Sequence, residues 1–197
     1  VTTTYNYDSM GNNTAITNGL GNTTRYMYDL AGRNIGMQDQ DGNYTKYVYD
    51  KAGNLSKLIT PNGYSTIYTS DKKGNVVKIE DGVGNVYNYK YDALDNRISE
   101  ASGKKIMAQY VYDEMSRLIE EIDAKGYKKI YKYDSLDRVI KVIDKEGNDT
   151  TYEYDNRNNN VMTITDAIGG KTTMAYDDMG NLVLLTQSNG NKCIYEY

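Results

Sequence analysis

The chain contains no His, no Trp and no Phe, and only one Pro and one Cys among its 197 residues. Without His it lacks the usual general base and the commonest metal-ligating side chain. The single thiol, Cys193, excludes an intramolecular disulfide, and no His is present to activate it as a nucleophile. We therefore predict that the chain is not an enzyme and has no catalytic residue, metal site or cofactor.

Long apolar runs and clustered positive charge are also missing. The longest apolar run extends only from Leu182 to Leu185, which is too short for a membrane span or a signal peptide. The net charge is -4, and the Lys and Arg residues are scattered along the sequence. We expect neither nucleic acid nor a membrane as a partner, because the basic patch that binds phosphates is absent.

Tyrosine is the residue that the chain has in excess. There are 22 Tyr, while hydrophobic residues make up only 39% of the sequence. A core built from this composition must be thin and consist largely of tyrosine rings. We therefore expect a thin sheet rather than a compact globule.

A 21-residue repeat organises the whole sequence. An aspartate recurs at this spacing eight times, and a ninth follows after 22 residues. Comparison of the units places the extra residue in the run at 156–160. The aspartates are Asp8, Asp29, Asp50, Asp71, Asp92, Asp113, Asp134, Asp155 and Asp177.

Each of these aspartates begins a turn phrase, D-x-x-G-N or a variant of it. Its carboxylate can accept hydrogen bonds from the amides two and three residues on, and Gly at the fourth position suits a three-residue hairpin loop with a bulge. The glycines are Gly11, Gly32, Gly53, Gly74 and Gly180. Elsewhere the replacements are Asp95, Ser116, Asp137 and Asn158, mostly residue types that tolerate a left-handed backbone. The fourth position is therefore predicted to have a positive φ.

A second turn follows about 13 residues after each aspartate. It is marked by Gly21, Gly42, Gly63, Gly84, Gly126, Gly147 and Gly190, with Lys105 as an exception and Gly169 displaced by the extra residue. Two turns per repeat leave two segments of about six or seven residues. Both are too short for helices of usual length.

The segment before each aspartate alternates in the manner of a β-strand. Tyr47 and Tyr49 point to one face, and Lys46 and Val48 to the other. Equivalent pairs are Tyr89/Tyr91, Tyr110/Tyr112, Tyr131/Tyr133 and Tyr152/Tyr154. The sequence thus predicts an all-β fold, in which residues 1–197 form one array of about nine tandem antiparallel hairpins and about eighteen strands. A single hairpin is only marginally stable in water, and packing edge to edge lets each hairpin pair its strands with those of its neighbours. We interpret the aspartates as turn residues and the tyrosines as structural residues.

Two registers are compatible with the sequence. A three-residue turn places Tyr49 opposite Leu55 and Thr45 opposite Ile59, whereas a two-residue turn puts the tyrosines on one face with Ser56 and Leu58. Because apolar residues fill both sets (Val76 and Val139 in one, Ile79 and Val142 in the other), we expect apolar side chains on both faces. The sequence does not decide which face is interior.

The repeat resembles the YD repeats of the Rhs (rearrangement hotspot) proteins. The phrases YNYDSMGN, YMYDLAGR and YVYDKAGN carry the resemblance, and the pattern Y-x-Y-D-x-x-G-[NR] covers the chain. Ser70 and Met174 depart from it at tyrosine positions. Similar repeats occur in bacterial polymorphic toxins, wall-associated proteins, the C component of insecticidal toxin complexes and animal teneurins. The resemblance implies a spiral sheet wound into a hollow shell, in a secreted or cell-surface bacterial protein whose export signal lies outside this chain.

Two function classes follow from this resemblance. The array is either wall material of a shell that encloses a toxin domain or other cargo, or an extracellular fibre or adhesin that could bind carbohydrate on its tyrosine rows. In both cases the partners are further repeats of the same chain or identical chains packed edge to edge. We expect an excerpt of a longer array, because neither end has a polar capping unit to cover an exposed sheet edge. Eighteen strands about 4.8 Å apart would close into a tube only about 27 Å wide, which is too narrow for a folded cargo domain, so we expect that this chain alone cannot enclose one.

Regularly spaced aspartates are also found in proteins that bind calcium. Calcium-binding β-rolls cluster their carboxylates every nine residues, whereas here single carboxylates recur every 21 residues. We therefore expect no bound calcium. For the tyrosines, we favour a packing role over a sugar-binding platform, and exposed tyrosine rows would favour the platform.

Overall fold

The computed structural model describes residues 2–155 and 160–197, which form nineteen β-strands and no helix. The all-β prediction is confirmed. The chain divides into two compact units, one ending at Lys105 and the other beginning at Ile106.

The first unit is an antiparallel meander of ten strands in which each strand pairs with the next. The strands are β1 (Thr4–Tyr7), β2 (Asn13–Thr17), β3 (Thr23–Tyr28), β4 (Asn34–Gln38), β5 (Tyr44–Tyr49), β6 (Leu55–Ile59), β7 (Ser65–Ser70), β8 (Val76–Glu80), β9 (Val86–Tyr91) and β10 (Arg97–Ser102).

The second unit is a meander of the same kind, with sequential antiparallel pairing. Its strands are β11 (Lys105–Tyr112), which begins one residue before the boundary, β12 (Leu118–Asp123), β13 (Lys128–Tyr133), β14 (Val139–Ile143), β15 (Asp149–Tyr154), β16 (Val161–Thr165), β17 (Lys171–Tyr176), β18 (Leu182–Thr186) and β19 (Lys192–Ile194).

In a meander the turns alternate between the two edges of the sheet. Within each unit, the turns that begin at the repeated aspartates therefore lie along one edge, which we call the first-turn edge. The turns that follow about ten residues later lie along the opposite edge, the second-turn edge. Neighbouring turns on one edge are two strand spacings, roughly 10 Å, apart.

A β-bulge at the same place in each hairpin fixes the register. Tyr49 lies opposite Leu55, but Val48 lies opposite Lys57, so Ser56 is an extra residue without a partner. The Ser56 hydroxyl donates to the Val48 carbonyl at 3.1 Å. The equivalent extra residues are Thr14, Ile35, Val77, Ile98, Ile119, Ile140, Met162 and Val183.

The bulge combines the two registers that the sequence allowed: Tyr49 lies opposite Leu55, as the three-residue turn predicts, and Leu58 shares a face with the tyrosines, as the two-residue turn predicts. Beyond Ser56, Tyr47 lies opposite Leu58 and Lys46, not Thr45, lies opposite Ile59. Cross-strand partners share a face, so Leu55 and Leu58 both lie with the tyrosines, on what we call the tyrosine face.

The predicted division of the two apolar sets between the faces is therefore wrong. Val76 lies opposite Ser70 and Ile79 opposite Tyr68, and the pairs Tyr133–Val139 and Tyr131–Val142 repeat this arrangement. The extra residue shifts the alternation by one, which brings both sets to the tyrosine face.

The sheet in each unit is thin. Among the described residues, Ala15 (9% exposed) and Ala108 (8% exposed) are the buried apolar residues, and no side chain there is fully buried. The paired tyrosines are half-buried within their strands. Hydrogen bonding between strands and side-chain contact within one layer hold such a structure together, rather than a closed core.

Candidate functional site: the first-turn clamp

The turns of the first edge share one backbone geometry. In the first of them, the Gly11 amide donates to the Asp8 carbonyl at 3.1 Å and the Asp8 amide to the Asn12 carbonyl at 3.0 Å. This is a three-residue loop closed by a residue with positive φ. Asp95 (φ 66°), Ser116 (φ 61°) and Asp137 (φ 61°) take that conformation where Gly is replaced, as predicted. Asn158 lies outside the described residues.

The aspartate side chain clamps each of these turns. Asp8 Oδ1 accepts the amides of Met10 and Asn12, each at 2.9 Å, and Asp8 Oδ2 accepts the Asn12 side-chain amide at 2.9 Å. The carboxylate thus binds the backbone amides of the second and fourth residues after the aspartate, whereas the sequence predicted the second and third. The amide of the third residue, Gly11, is not available because it donates to the Asp8 carbonyl. The same clamp occurs at Asp29, Asp50, Asp71, Asp92, Asp113, Asp134 and Asp177.

The clamp lowers the pKa of these carboxyl groups. At Asp29 the hydrogen bond from the Arg33 side chain is the largest cause, followed by the one from the Arg33 amide. At Asp177 the side chain and amide of Asn181 have the same effect on the pKa. The carboxylates are therefore held in the charged form as hydrogen-bond acceptors, which is unsuited to general-acid chemistry at neutral pH.

In three of the turns the fifth residue, Asn75, Arg117 or Arg138, also reaches the next turn. Arg117 binds Asp113 Oδ2 of its own turn through Nε at 2.7 Å, and Asp137 Oδ1 of the following turn through a terminal nitrogen at 2.7 Å. Asn75 likewise donates to Asp95 Oδ1 at 2.8 Å, joined there by Lys73 Nζ at 2.9 Å. These two bonds lower the pKa of Asp95, the one from Lys73 most.

Asp95 and Asp137 are therefore more than tolerated replacements of Gly. A Gly at the fourth position offers its neighbour no side-chain acceptor, whereas each of these carboxylates accepts a hydrogen bond from a side chain of the preceding turn. The replacements link adjacent turns.

Arginine at the fifth position also stacks on a tyrosine of the next hairpin. The guanidinium carbon lies 4.9 Å from the Tyr49 ring centre for Arg33, 5.0 Å from that of Tyr133 for Arg117, and 4.7 Å from that of Tyr154 for Arg138. Each of these arginines is ion-paired with the aspartate of its own turn. Asp, Arg and Tyr thus form a relay from one hairpin to the next.

The second tyrosine of each pair completes the link through its hydroxyl. The Tyr154 hydroxyl donates to the Val139 carbonyl at 2.7 Å, and pairing between β14 and β15 begins only at Lys141. The bulge leaves this carbonyl outside the ladder, and the tyrosine supplies the missing donor. Tyr28, Tyr49, Tyr91, Tyr133 and Tyr176 make the same bond, 15 residues back along the chain.

The remaining predicted site residues occupy less regular positions. The first tyrosines Tyr47, Tyr89, Tyr110, Tyr131 and Tyr152 lie opposite Leu58, Glu100, Glu121, Val142 and Ile164 on the tyrosine face. Tyr112 lies opposite Leu118. The Asp155 amide donates to the Asn160 carbonyl at 2.8 Å, five residues on rather than four. Residues 156–159, which belong to the run predicted to hold the extra residue, lie outside the described part of the chain.

Sequence reasoning missed the aspartates of the second turns. Asp39 Oδ1 accepts the amides of Asp41 and Asn43, and Asp39 Oδ2 accepts the Asn43 side chain, as in the first turns. Asp81 and Asp144 repeat this clamp. The signal was present, because DQDGN, DGVGN and DKEGN are the same phrase ten residues downstream.

The second-turn exception at Lys105 also has a local explanation. Gly103 supplies the positive φ (57°) two residues earlier, in a shorter turn between Ser102 and Lys105.

Within the described ranges there is no group of His, Cys, Asp and Glu side chains that could hold a metal ion. The same part of the chain contains no helix long and apolar enough to cross a membrane.

These features define the class of protein: a repeat protein built from β-hairpins, in which turn clamps and tyrosines tie neighbouring hairpins together. The RHS Repeat family matches residues 28–66 and 156–192. No curated protein matches the chain significantly in sequence. With the YD pattern recurring from Asp8 to Asp177, the chain is similar to the Rhs, or YD-repeat, family along its length.

Solved structures of toxin complexes contain the same fold. The chain matches the Photorhabdus luminescens Tc holotoxin pore with a TM-score of 0.68 at 17% identity, over 99% of this chain and 12% of that one. It matches TcdB2–TccC3 without its hypervariable C-terminal region with a TM-score of 0.68 at 16% identity, over 94% and 13%. A TcdB2–TccC3–Cdc42 crystal structure gives 0.56 at 14% identity, over 94% and 14%. The chain therefore spans about one eighth of these chains and shares a stretch of their fold.

Proposed function

We propose that this chain is a structural module: wall material of a hollow β-sheet shell, in a secreted or cell-surface protein, that encloses a toxin domain or other cargo. The observation that carries the proposal is the relay between hairpins. Asp, Arg or Asn, and Tyr connect neighbouring hairpins within a compact unit, as Arg117 connects Asp113 with Asp137, and no larger core is needed. A wall extends by addition of such units.

The chemistry of the repeated residues supports a role without catalysis. The clamp aspartates use both carboxylate oxygens to hold their own turns, as Asp50 does with Ala52 and Asn54. The tyrosine hydroxyls are used on backbone carbonyls, as that of Tyr49 is on Asn34 at 2.7 Å. The groups that recur in each unit are thus already engaged in structure.

The comparison with toxin complexes supports the shell form of the proposal. Chains of these toxin complexes share this fold over a stretch of about one eighth of their own length. The alternative, an extracellular fibre or adhesin, would use the same hairpins with free edges that associate end to end. The half-burial of the paired tyrosines gives no support to a sugar platform along the rows.

Electron microscopy of the natural full-length product tests the proposal. We expect closed particles with an internal cavity, in which the segments that flank the array resist added protease. Gly74→Val, which forces a β-branched residue into a left-handed turn, should open the wall and expose those segments to cleavage. Lys51→Ser, at an exposed turn tip, is the matched control and should leave protection unchanged. Filaments without a cavity would reject the shell in favour of the fibre.

A further inference from the structure

A groove of ≈ 390 Å³ lies at the second-turn edge of the second unit, between the turn that begins at Asp123 and the one that begins at Asp144. The side chains of Glu121, Asp123, Tyr127, Lys129, Lys145 and Glu146 line it. Its volume is within the range of about 300–1,000 Å³ typical of small-molecule sites.

One carboxylate oxygen in this groove has no structural role. Asp123 Oδ1 accepts the amides of Lys125 and Tyr127 at 2.8 and 3.0 Å, which is the usual turn clamp. In the comparable turns, Asp39 and Asp144 also accept an Asn side chain on Oδ2. Tyr127 stands where those turns have Asn, so Asp123 Oδ2 has no donor among the described residues and is available to a ligand.

The replacement also places an aromatic ring at the groove, where Tyr127 is 53% exposed. The first unit has a similar tyrosine, Tyr64, which is 56% exposed and approaches Gly82 of the next turn: a Cβ added at Gly82 would lie 2.8 Å from the Tyr64 Cβ. Lys145 occupies the position of Gly82 in the turn next to Tyr127. The neighbouring turn thus presents a lysine rather than a glycine to Tyr127, and the groove lies between this tyrosine and that turn.

The inner wall of the groove adds further donors and acceptors. Glu121 and Lys129 are cross-strand partners on the tyrosine face. The Tyr131 hydroxyl donates to Glu121 Oε2 at 3.4 Å, and Lys129 Nζ lies 5.1 Å from the Tyr131 ring centre. With Asp144, four carboxylates and two ammonium groups line the groove, so its formal charge of 2 − 4 = −2 disfavours anions.

We propose that this groove binds a neutral or amino hexose. A flat aromatic ring offers a face to the C–H groups of a pyranose, while carboxylates and ammonium groups at its border accept and donate hydrogen bonds to hydroxyls. Asp123 Oδ2 and Glu121 serve as acceptors for hydroxyl or ammonium groups of the sugar, and Lys145 as a donor. The site is independent of whether the array encloses a cargo.

Saturation-transfer NMR of the 197-residue chain with glucose, glucosamine and glucuronate separately tests this. We expect transfer to glucose and glucosamine and little to glucuronate. Tyr127→Asn should weaken binding by about fivefold or more through loss of the stacking face. This variant recreates the turn of Asp39 and Asn43, so it should fold, which far-UV circular dichroism would verify. The matched control is Tyr64→Asn, which should leave binding unchanged.

Several results would overturn the proposal. These are no transfer to either glucose or glucosamine, binding that survives Tyr127→Asn, and an equal loss in Tyr64→Asn. Stronger binding of glucuronate would also do so, because it contradicts the charge of the groove. As a second variant, Asp123→Asn keeps a turn like that of Asn18 and should weaken glucosamine more than glucose.

Discussion

The two edges of the sheet use the same backbone turn but different side-chain chemistry. On the first-turn edge, aspartate begins each turn, and Asn or Arg at the fifth position reaches the neighbouring turn, as Arg117 reaches Asp137 at 2.7 Å. On the second-turn edge the first residue varies, being Asn18, Thr60 or Gln187 in places. Thr60 holds its turn through one hydroxyl bond to the Tyr64 carbonyl at 3.2 Å.

This difference shows which part of the repeat is constrained. A turn that only closes its own hairpin tolerates different residues, because several side chains satisfy the same amides. A turn that also contacts the next hairpin must satisfy its own amides and that contact, so fewer residue types are suitable. Within each compact unit the first-turn edge therefore joins neighbouring hairpins, and the second-turn edge is free to diverge locally, as it does at Tyr127.

The largest change in stability is expected from acid, which protonates the clamp aspartates. Hydrogen bonds, from the side chain and then the amide of Arg33, lower the pKa of folded Asp29 below that of the unfolded chain. A depressed folded pKa gives stability that is present above the unfolded value of about 3.9 and lost as pH falls through the folded value. Many clamps share this shift, so the urea midpoint should be level from pH 7 to about pH 5 and fall steeply below about pH 4.

Substitution of aspartate by asparagine should lower the urea midpoint by different amounts on the two edges. Asp29→Asn removes a bond to a charged partner, whereas Asp39→Asn recreates the turn of Asn18. The midpoint at pH 7 should drop roughly twice as far for Asp29→Asn, because charge-assisted bonds are about twice as strong. Equal losses would mean that the first-turn edge has no special role.

Alanine at the left-handed glycines should have the next largest effect. Gly74 (φ 96°) and Gly63 (φ 81°) both require a conformation that costs an L-residue about 1–2 kcal/mol. At Gly74 the new Cβ would also lie 3.2 Å from Asn54 Oδ1 of the preceding turn, whereas nothing lies within 4 Å at Gly63. Gly74→Ala should therefore destabilise more than Gly63→Ala in urea unfolding. The reverse order would contradict the contact between turns.

Removal of one tyrosine hydroxyl gives a smaller loss. Tyr154→Phe should lower the free energy of unfolding by about 1 kcal/mol, because the Val139 carbonyl loses its donor. Tyr152 is the matched control, since its hydroxyl has no hydrogen bond in the described part of the chain. Tyr152→Phe should change the free energy by less than about 0.5 kcal/mol. Similar values for the two variants would show that the bond to the bulge carbonyl contributes nothing.

The smallest effect is expected at Asp137. Asp137→Gly relieves the cost of a positive φ but removes the exposed ion pair with Arg117, so the stability should change by less than about 0.5 kcal/mol. Asp137→Ala loses the ion pair and adds strain, because alanine tolerates the left-handed conformation less well than aspartate, and should cost about 1 kcal/mol. A large loss in Asp137→Gly would assign more weight to the bond between turns than its exposure suggests.

Most of the fold could be predicted because the same turn and strand residues recur in nine repeats. Gly or Asp at the fourth turn position and the alternation of Tyr47 and Tyr49 identify hairpins without any tertiary information. The register could not be predicted, because Ser56 is an ordinary strand residue in sequence. Only the pairing of Tyr47 with Leu58 shows that it is extra.

The site was predicted in part for a similar reason. The aspartates were recognised from their spacing, but their reach to the next hairpin depends on residues 15 to 22 positions away, such as Tyr154 and Val139 or Lys73 and Asp95. The groove at Tyr127 depends on two substitutions in different turns, Tyr for Asn and Lys for Gly. Each alone is an unremarkable surface change.

The short reach of the bonds between hairpins has a consequence for how the chain is made. The Tyr28 hydroxyl needs only a carbonyl 15 residues behind it, and Lys73 only a carboxylate 22 residues ahead. A nascent chain could therefore complete each hairpin against the one before it as soon as about one repeat has emerged, without waiting for its far end. Such a protein would fold repeat by repeat during synthesis, and the gain or loss of one repeat would leave distant repeats unchanged.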